Sequence, residues 1–155
     1  MKIHTNRSKI LDIIVDDGPL AIVLARHDGT IAYCNDKFSF MLGYENSELI
    51  DMCFQDITHE DDLFIDIDLY ASLNNREIDN YSLEKRYIHK DGQTIWTKLT
   101  ISVCGNVGAD QYSVMMIYDI TEQKEKISSV IDEIQDKLER LDRSNKEGSS
   151  DGMDI

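Results

Sequence analysis

Proline is almost missing from this chain: Pro19 is the only one in 155 residues, and with few glycines this argues against low complexity everywhere except the tail. Cysteine is scarce and odd in number. Cys34, Cys53 and Cys104 lack Cys-x-x-Cys spacing and read as free thiols in a reducing compartment, which excludes a disulfide framework or zinc ribbon. No apolar run approaches the length that crosses a bilayer, and the polar stretch from Met1 to Asp12 does not have the pattern of a signal peptide. Cations are in deficit, with 16 Lys and Arg against 30 Asp and Glu and a formal net charge of −14. So acidic a chain repels nucleic-acid backbones and anionic membrane surfaces. There is no phosphate-cradling glycine loop, and no Ser/His/Asp or Cys/His motif. The expectation is a soluble, cytoplasmic protein that is not an enzyme and binds neither nucleic acid nor membrane.

What is present is an alternation of short strands and helices. Arg7 to Asp16 puts Ile10, Leu11, Ile13 and Ile14 on one helical stripe, and Asp17-Gly18-Pro19 breaks it. Leu20 to Ala25 reads as a strand, Asp28-Gly29 as a hairpin turn and Thr30 to Cys34 as the returning strand. Asn35 suits a helix N-cap, and Gly43 stops that helix. Ser47 is expected to cap a second helix ending at Ile50. Met52 to Asp62 has no clear periodicity. Leu63 to Leu73 reads as a helix with Asp61 and Asp62 at its positive end. Tyr81 to His89 and Ile95 to Val103 are strands joined at Asp91-Gly92, and Gly105 to Asp110 is a loop. Tyr112 to Tyr118 is the last strand. It runs directly into Asp119-Ile120-Thr121-Glu122, where either Asp119, with Glu122 three residues on, or Thr121 caps a helix. Strands on both sides of a run of helices imply an α+β fold: an antiparallel sheet with helices on one face.

In that last helix Ile127, Ile131, Ile134, Leu138 and Leu141 recur at spacings of four, three, four and three. The seam lasts about two heptads, short of a secure coiled coil. It fits a dimer helix, and it also fits an amphipathic helix folded back on its own domain. After Arg143 the composition reads as a disordered tail.

The ordered set Ile31-Ala32-Tyr33-Cys34-Asn35, Phe38, Gly43-Tyr44, Ser47-Glu48-Leu49-Ile50, Ile57-Thr58-His59-Glu60-Asp61-Asp62, Lys90-Asp91-Gly92, Trp96 and Asp119-Ile120-Thr121-Glu122 resembles a PAS domain, the sensory module of many bacterial signalling proteins. The resemblance runs from Leu20 to Glu122. Glu60 departs from it, since many members carry proline there. It implies a five-stranded antiparallel sheet whose concave face is covered by the helices between Asn35 and Leu73, with a pocket between. It also implies pairing through the outer sheet face and flanking helices, and a C-terminal helix leading towards a kinase, cyclase or similar effector. The expected division is residues 1–17 as a helical extension, 18–122 as the sensor domain, 123–143 as a signalling helix and 144–155 as the tail.

The expected pocket lining is apolar: Ile22, Leu24, Phe38, Met41, Leu42, Leu69, Leu99, Ile101, Met115 and Ile117, with Tyr87 and Thr97 as the polar groups that could orient a small ligand. A filled core without any guest is the alternative. Flavin is disfavoured. Relative to the light-oxygen-voltage branch, Cys53 is one place early, Phe54 occupies the reactive position, and the amide positions fall on Tyr87, Thr97 and Ile117, none of them Asn or Gln. Haem is disfavoured because the helix from Leu63 to Leu73 has no histidine, and the resemblance gives His59 a role in the fold. Asp56, His59, Glu60, Asp61, Asp62, Asp66 and Asp68 are more simply a solvated acidic face than a metal site.

The sequence thus reads as a stand-alone sensory module, or a fragment of a longer regulator. Tyr118, Asp119, Ile120, Thr121 and Glu122 would pass ligand or partner state to the C-terminal helix, and from there to a homodimer partner or an effector in trans. A ligand-free adaptor and a haem- or flavin-bearing redox or gas sensor are the alternatives.

Overall fold

The computed structural model describes residues 7–106 and 110–150. The chain divides between Ile120 and Thr121 into two units. In the first, β1 (Ala21–Arg26), β2 (Ile31–Cys34), β3 (Asn80–Ile88), β4 (Thr94–Cys104) and β5 (Tyr112–Asp119) form one antiparallel sheet in the order β2-β1-β5-β4-β3. The Asp-Gly turns form as expected. Gly29 has φ +86°, and a side chain there would collide with the Phe54 ring. Asp28 accepts hydrogen bonds from the Thr30 amide and hydroxyl, which hold its carboxyl below the usual range. Of the β4–β5 loop expected over Gly105 to Asp110, residues 107–109 lie outside the described residues.

Helices α2 (Asp36–Leu42), α3 (Asn46–Leu49) and α4 (Glu60–Asn74) follow β2. Helix α3 begins at Asn46, not behind a Ser47 cap. Glu48 reaches back to accept the Glu45 amide at 2.9 Å, which fixes the earlier start. Met52 to Asp62 shows no period because tertiary contacts organise it. Phe54–Ile57 is a short 3-10 turn that buries Phe54 and Ile57, and bridges Thr30–Cys53 and Thr58–Tyr87 tie it to the sheet. His59 caps α4 by accepting the Asp61 amide at Nδ1. This is its part in the fold.

Asn35 does more than cap α2. Only 2% exposed, its Oδ1 accepts the amides of Phe38 (3.3 Å) and Ile22 (3.0 Å), while Nδ2 donates to Val15 O (2.7 Å) and Leu20 O (2.8 Å). The N-terminal helix α1 (Arg7–Asp12) passes into a π-helical turn over Ile13–Asp17 rather than staying α-helical to Asp16. The wider turn delivers the Val15 carbonyl to Asn35.

The core lies between the helices and one sheet face, and it joins Phe38, Leu42, Leu49, Leu73, Leu99 and Ile101. Strand parity decides which residues reach it. On β1 the buried residues are Ala21, Val23 and Ala25, so Ile22 and Leu24 lie on the opposite sheet face. There Ile22 pairs with Met116 and Leu24 with Val114. Those two expected pocket residues are therefore corrected: a strand's side chains alternate, and the expected set took the wrong phase.

The second unit is α5 (Thr121–Ser150). It continues seven residues beyond Arg143, where the composition had suggested a tail. Ion pairs one turn apart, Glu139–Arg143 (3.5 Å) and Asp142–Lys146 (2.9 Å), carry the helix across that boundary. The remaining residues of the expected tail, 151–155, lie outside the described residues. No helix among the described residues is long and apolar enough to cross a membrane.

Candidate functional site

Of the expected lining, Phe38, Leu42, Tyr87, Thr97, Leu99, Ile101, Met115 and Ile117 share one buried core, with Met41 and Leu69 partly buried against it. Phe38 and Tyr87 meet edge to face, ring centroids 5.8 Å apart. Thr97 is occupied in holding the sheet, its Oγ1 donating to Lys85 O at 2.9 Å.

At the centre of this region the side chains are not apolar. Lys85, on the inward face of β3 and 1% exposed, points its ammonium between the rings of Tyr87 and Phe54, 4.3 Å and 5.3 Å from their centroids. It donates to Asp66 Oδ2 on α4 at 2.5 Å and to Thr58 Oγ1 at 2.9 Å. Tyr81 Oη donates to the other Asp66 oxygen at 3.1 Å. Thr58 Oγ1 in turn donates a hydrogen bond to Phe54 O at 2.7 Å. Nearby, Tyr70 Oη donates to Arg26 O at 2.6 Å and lies 3.1 Å from Ser113 Oγ. Among the described residues no buried side-chain polar atom lacks a partner.

Burial lowers the Lys85 pKa, and Asp66 opposes that shift. Burial, reinforced by the Asp66 charge, raises the Tyr81 hydroxyl far above its ordinary range, so it stays protonated and serves Asp66 as a donor. The result is a charge-neutral network spanning the covering helix and the sheet. Phe54, Asp66, Tyr70, Tyr81, Lys85, Leu99, Ile101 and Met115 surround the small gap at its middle, which is too small to admit a water molecule. A guest at this point would have to part α4 from β3 or break bonds that are already made.

Sequence reasoning missed Asp66, Tyr81 and Lys85 as a group. The signal was present. Tyr81, Leu83, Lys85 and Tyr87 share one strand parity, and Asp66 shares the α4 face of Leu63, Leu69, Tyr70 and Leu73.

The acidic run is dispersed by the fold. Asp56 accepts the Cys53 amide, Asp62 grips Arg86 through both oxygens (2.7 and 2.9 Å), and Asp66 faces inward. Among the described residues no group of three or more His, Cys, Asp or Glu is placed to hold a metal ion. Cys53 is half-buried, Cys34 is buried with its thiol pushed up to about 11 by burial and Asp36, and all three cysteines are free.

Of the expected relay residues, Tyr118 and Asp119 end β5 opposite Lys98 and Thr97, and Ile120 is buried with its amide donating to Trp96 O at 2.8 Å. Thr121 and Glu122 open α5, where Glu122 pairs with Lys126 at 2.9 Å. Along α5 the seam residues Ile127, Ile131, Ile134, Leu138 and Leu141, together with Val130, are all exposed.

A family model described as a PAS domain matches residues 19–122. The probable diguanylate cyclase DgcE of Escherichia coli (strain K12) is 30% identical over 132 residues, which cover 83% of this chain and 11% of that protein. The sensor histidine kinase TmoS of Ectopseudomonas mendocina is 26% identical over 132 residues, covering 84% of this chain and 14% of its own length. The chain thus spans only a small part of the curated relatives it matches. A PAS domain crystal structure from Colwellia psychrerythraea superposes with a TM-score of 0.65 at 20% identity, covering 74% of this chain and 98% of that one.

Proposed function

Because the chain belongs to the PAS domain family, we propose that it is a sensory module without catalysis of its own, which dimerises through α5 and relays its state along that helix to an effector. The observation that carries this reading is the row Ile127, Ile131, Ile134, Leu138 and Leu141, exposed on a helix that follows β5 after one residue. Five aliphatic side chains in water favour a partner surface of the same pattern, and a second copy supplies one. The effector, a kinase or cyclase in cis or in trans, is suggested by the relatives, which carry homologous segments within longer signalling proteins. In this reading a change in the sheet biases the junction at Tyr118 to Glu122, and α5 transmits that bias as a change in dimer register.

A second reading, the ligand-free adaptor, is favoured by the packed interior. The gap at the centre of the Lys85–Asp66–Tyr81 network is too small for a water molecule, which supports this reading. On the same grounds we propose that the module works without haem or flavin; its net charge of −14 supports a module that binds neither nucleic acid nor anionic membrane, and its free cysteines suit the reducing cytoplasm. Native mass spectrometry of the full chain, with a visible absorption spectrum, tests these readings together. A two-chain mass with no added guest and no visible band supports the dimeric adaptor, and a retained guest supports ligand sensing. A one-chain mass refutes the dimer.

A further inference from the structure

We propose that the outer face of α4 is a docking surface for a basic amphipathic helix of a partner protein. Helix α4 turns Asp66, Tyr70 and Leu73 towards the sheet. On its far side stands Phe64, 82% exposed, with Ile65 at 54% and Ile67 at 38%. A phenylalanine that far out of the core gains nothing from packing in its own domain, and it forms the centre of a small apolar patch.

The surroundings of Phe64 carry one sign of charge. Asp61 lies three residues before it, Asp68 four residues after and Glu60 four before, all exposed, and the fifteen residues of α4 include no Lys or Arg. Nearby cations are committed elsewhere. Lys85 is buried against Asp66, and Arg86 is held by both oxygens of Asp62, reaching Asp61 only at 3.7 Å. An apolar centre with an acidic rim fits the reverse pattern: an apolar stripe edged by Lys and Arg. A second copy of this chain fits badly, since two such faces would bring like charges together. The surface belongs to the first unit alone and stands whether or not α5 pairs.

The test titrates the full-length, isotope-labelled chain with a synthetic helical peptide of Leu and Lys in amphipathic order, and with a control in which Ser replaces Leu. The expected result is amide shift changes clustered on residues 60–71, binding that weakens as salt rises, and no comparable effect from the control. Phe64→Ser is expected to weaken binding about tenfold while leaving the fold and the oligomer mass unchanged, as an anchor residue does. Asp68→Lys, a pure charge reversal on an exposed position, is expected to weaken it too. Equal binding by Phe64→Ser, shifts confined to α5 or the outer sheet face, or self-association that Phe64→Ser abolishes would each overturn the proposal.

Discussion

Lys85 Nζ lies 2.5 Å from Asp66 Oδ2, with both side chains almost completely removed from water. The pair joins strand β3 to the covering helix α4 in the interior of the domain. Desolvating two charges costs roughly what their attraction returns, so the pair adds little net stability, yet either charge alone would be stranded. Lys85→Met is therefore expected to lower stability by about 3–5 kcal/mol. The triple variant Lys85→Met, Asp66→Leu, Tyr81→Phe, which removes both buried charges together and leaves Thr58 its bond to Phe54 O, should recover most of that loss. Urea unfolding midpoints at constant slope measure both.

Asn35 makes four hydrogen bonds that tie β1, α2 and the π-helical turn. Asn35→Asp keeps the acceptor for the Phe38 and Ile22 amides but faces the Val15 and Leu20 carbonyls with an oxygen. The expected cost is about 2–3 kcal/mol, the scale of unsatisfied buried polar groups. Proteolysis of residues before Gly18 should also speed up, because the Val15 tether is lost.

Acid should weaken the domain through Asp62. The Arg86 guanidinium and amide beside it hold its pKa below the ordinary 3.8. A carboxylate with a depressed folded pKa contributes stability that is complete above the unfolded value and lost as pH falls through the folded one. Asp62→Asn is expected to cost about 1–2 kcal/mol near neutrality and to flatten the fall in stability below pH 3.8. Thermal melts across that range check the slope.

Gly43 ends α2 with φ +74°, and a side chain at this position would fall 2.3 Å from the His89 ring. Gly43→Ala is expected to destabilise by about 1–3 kcal/mol, with the His89 ring signals shifted in NMR spectra. Gly92, with φ +93° but open space around it, should show only the smaller backbone part of that effect.

These residues also mark what was legible in the sequence. The hairpin at Asp28-Gly29, the Asn35 cap, the Gly43 stop and all five strands announced themselves because each is a local choice: turn chemistry, capping, a short apolar run or a period of two. The start of α3 and the end of α5 did not, since Glu48 reaching back to Glu45 and Asp142 pairing with Lys146 each carry the helix past the boundary that composition suggests. The phase of β1 was lost for a simpler reason: Ala21, Ile22, Val23, Leu24 and Ala25 are all apolar, so alternation leaves no mark, and only pairing with Met115 and Met116 separates the faces. The charged centre escaped because Lys85 and Asp66 each look like solvent-facing residues until β3 and α4 are brought together.

The most direct test of the account is the solution mass of the full chain and of Ile134→Asp, read by light scattering. Ile134 sits mid-seam on α5 and is exposed in the single chain, so a charge there harms nothing unless another helix covers it. A two-chain mass for the unaltered protein that falls to one chain in Ile134→Asp, with the circular dichroism of the domain retained, is the predicted result. An equal mass for the two proteins, whether one chain or two, would contradict the pairing of α5 on which the proposed relay depends.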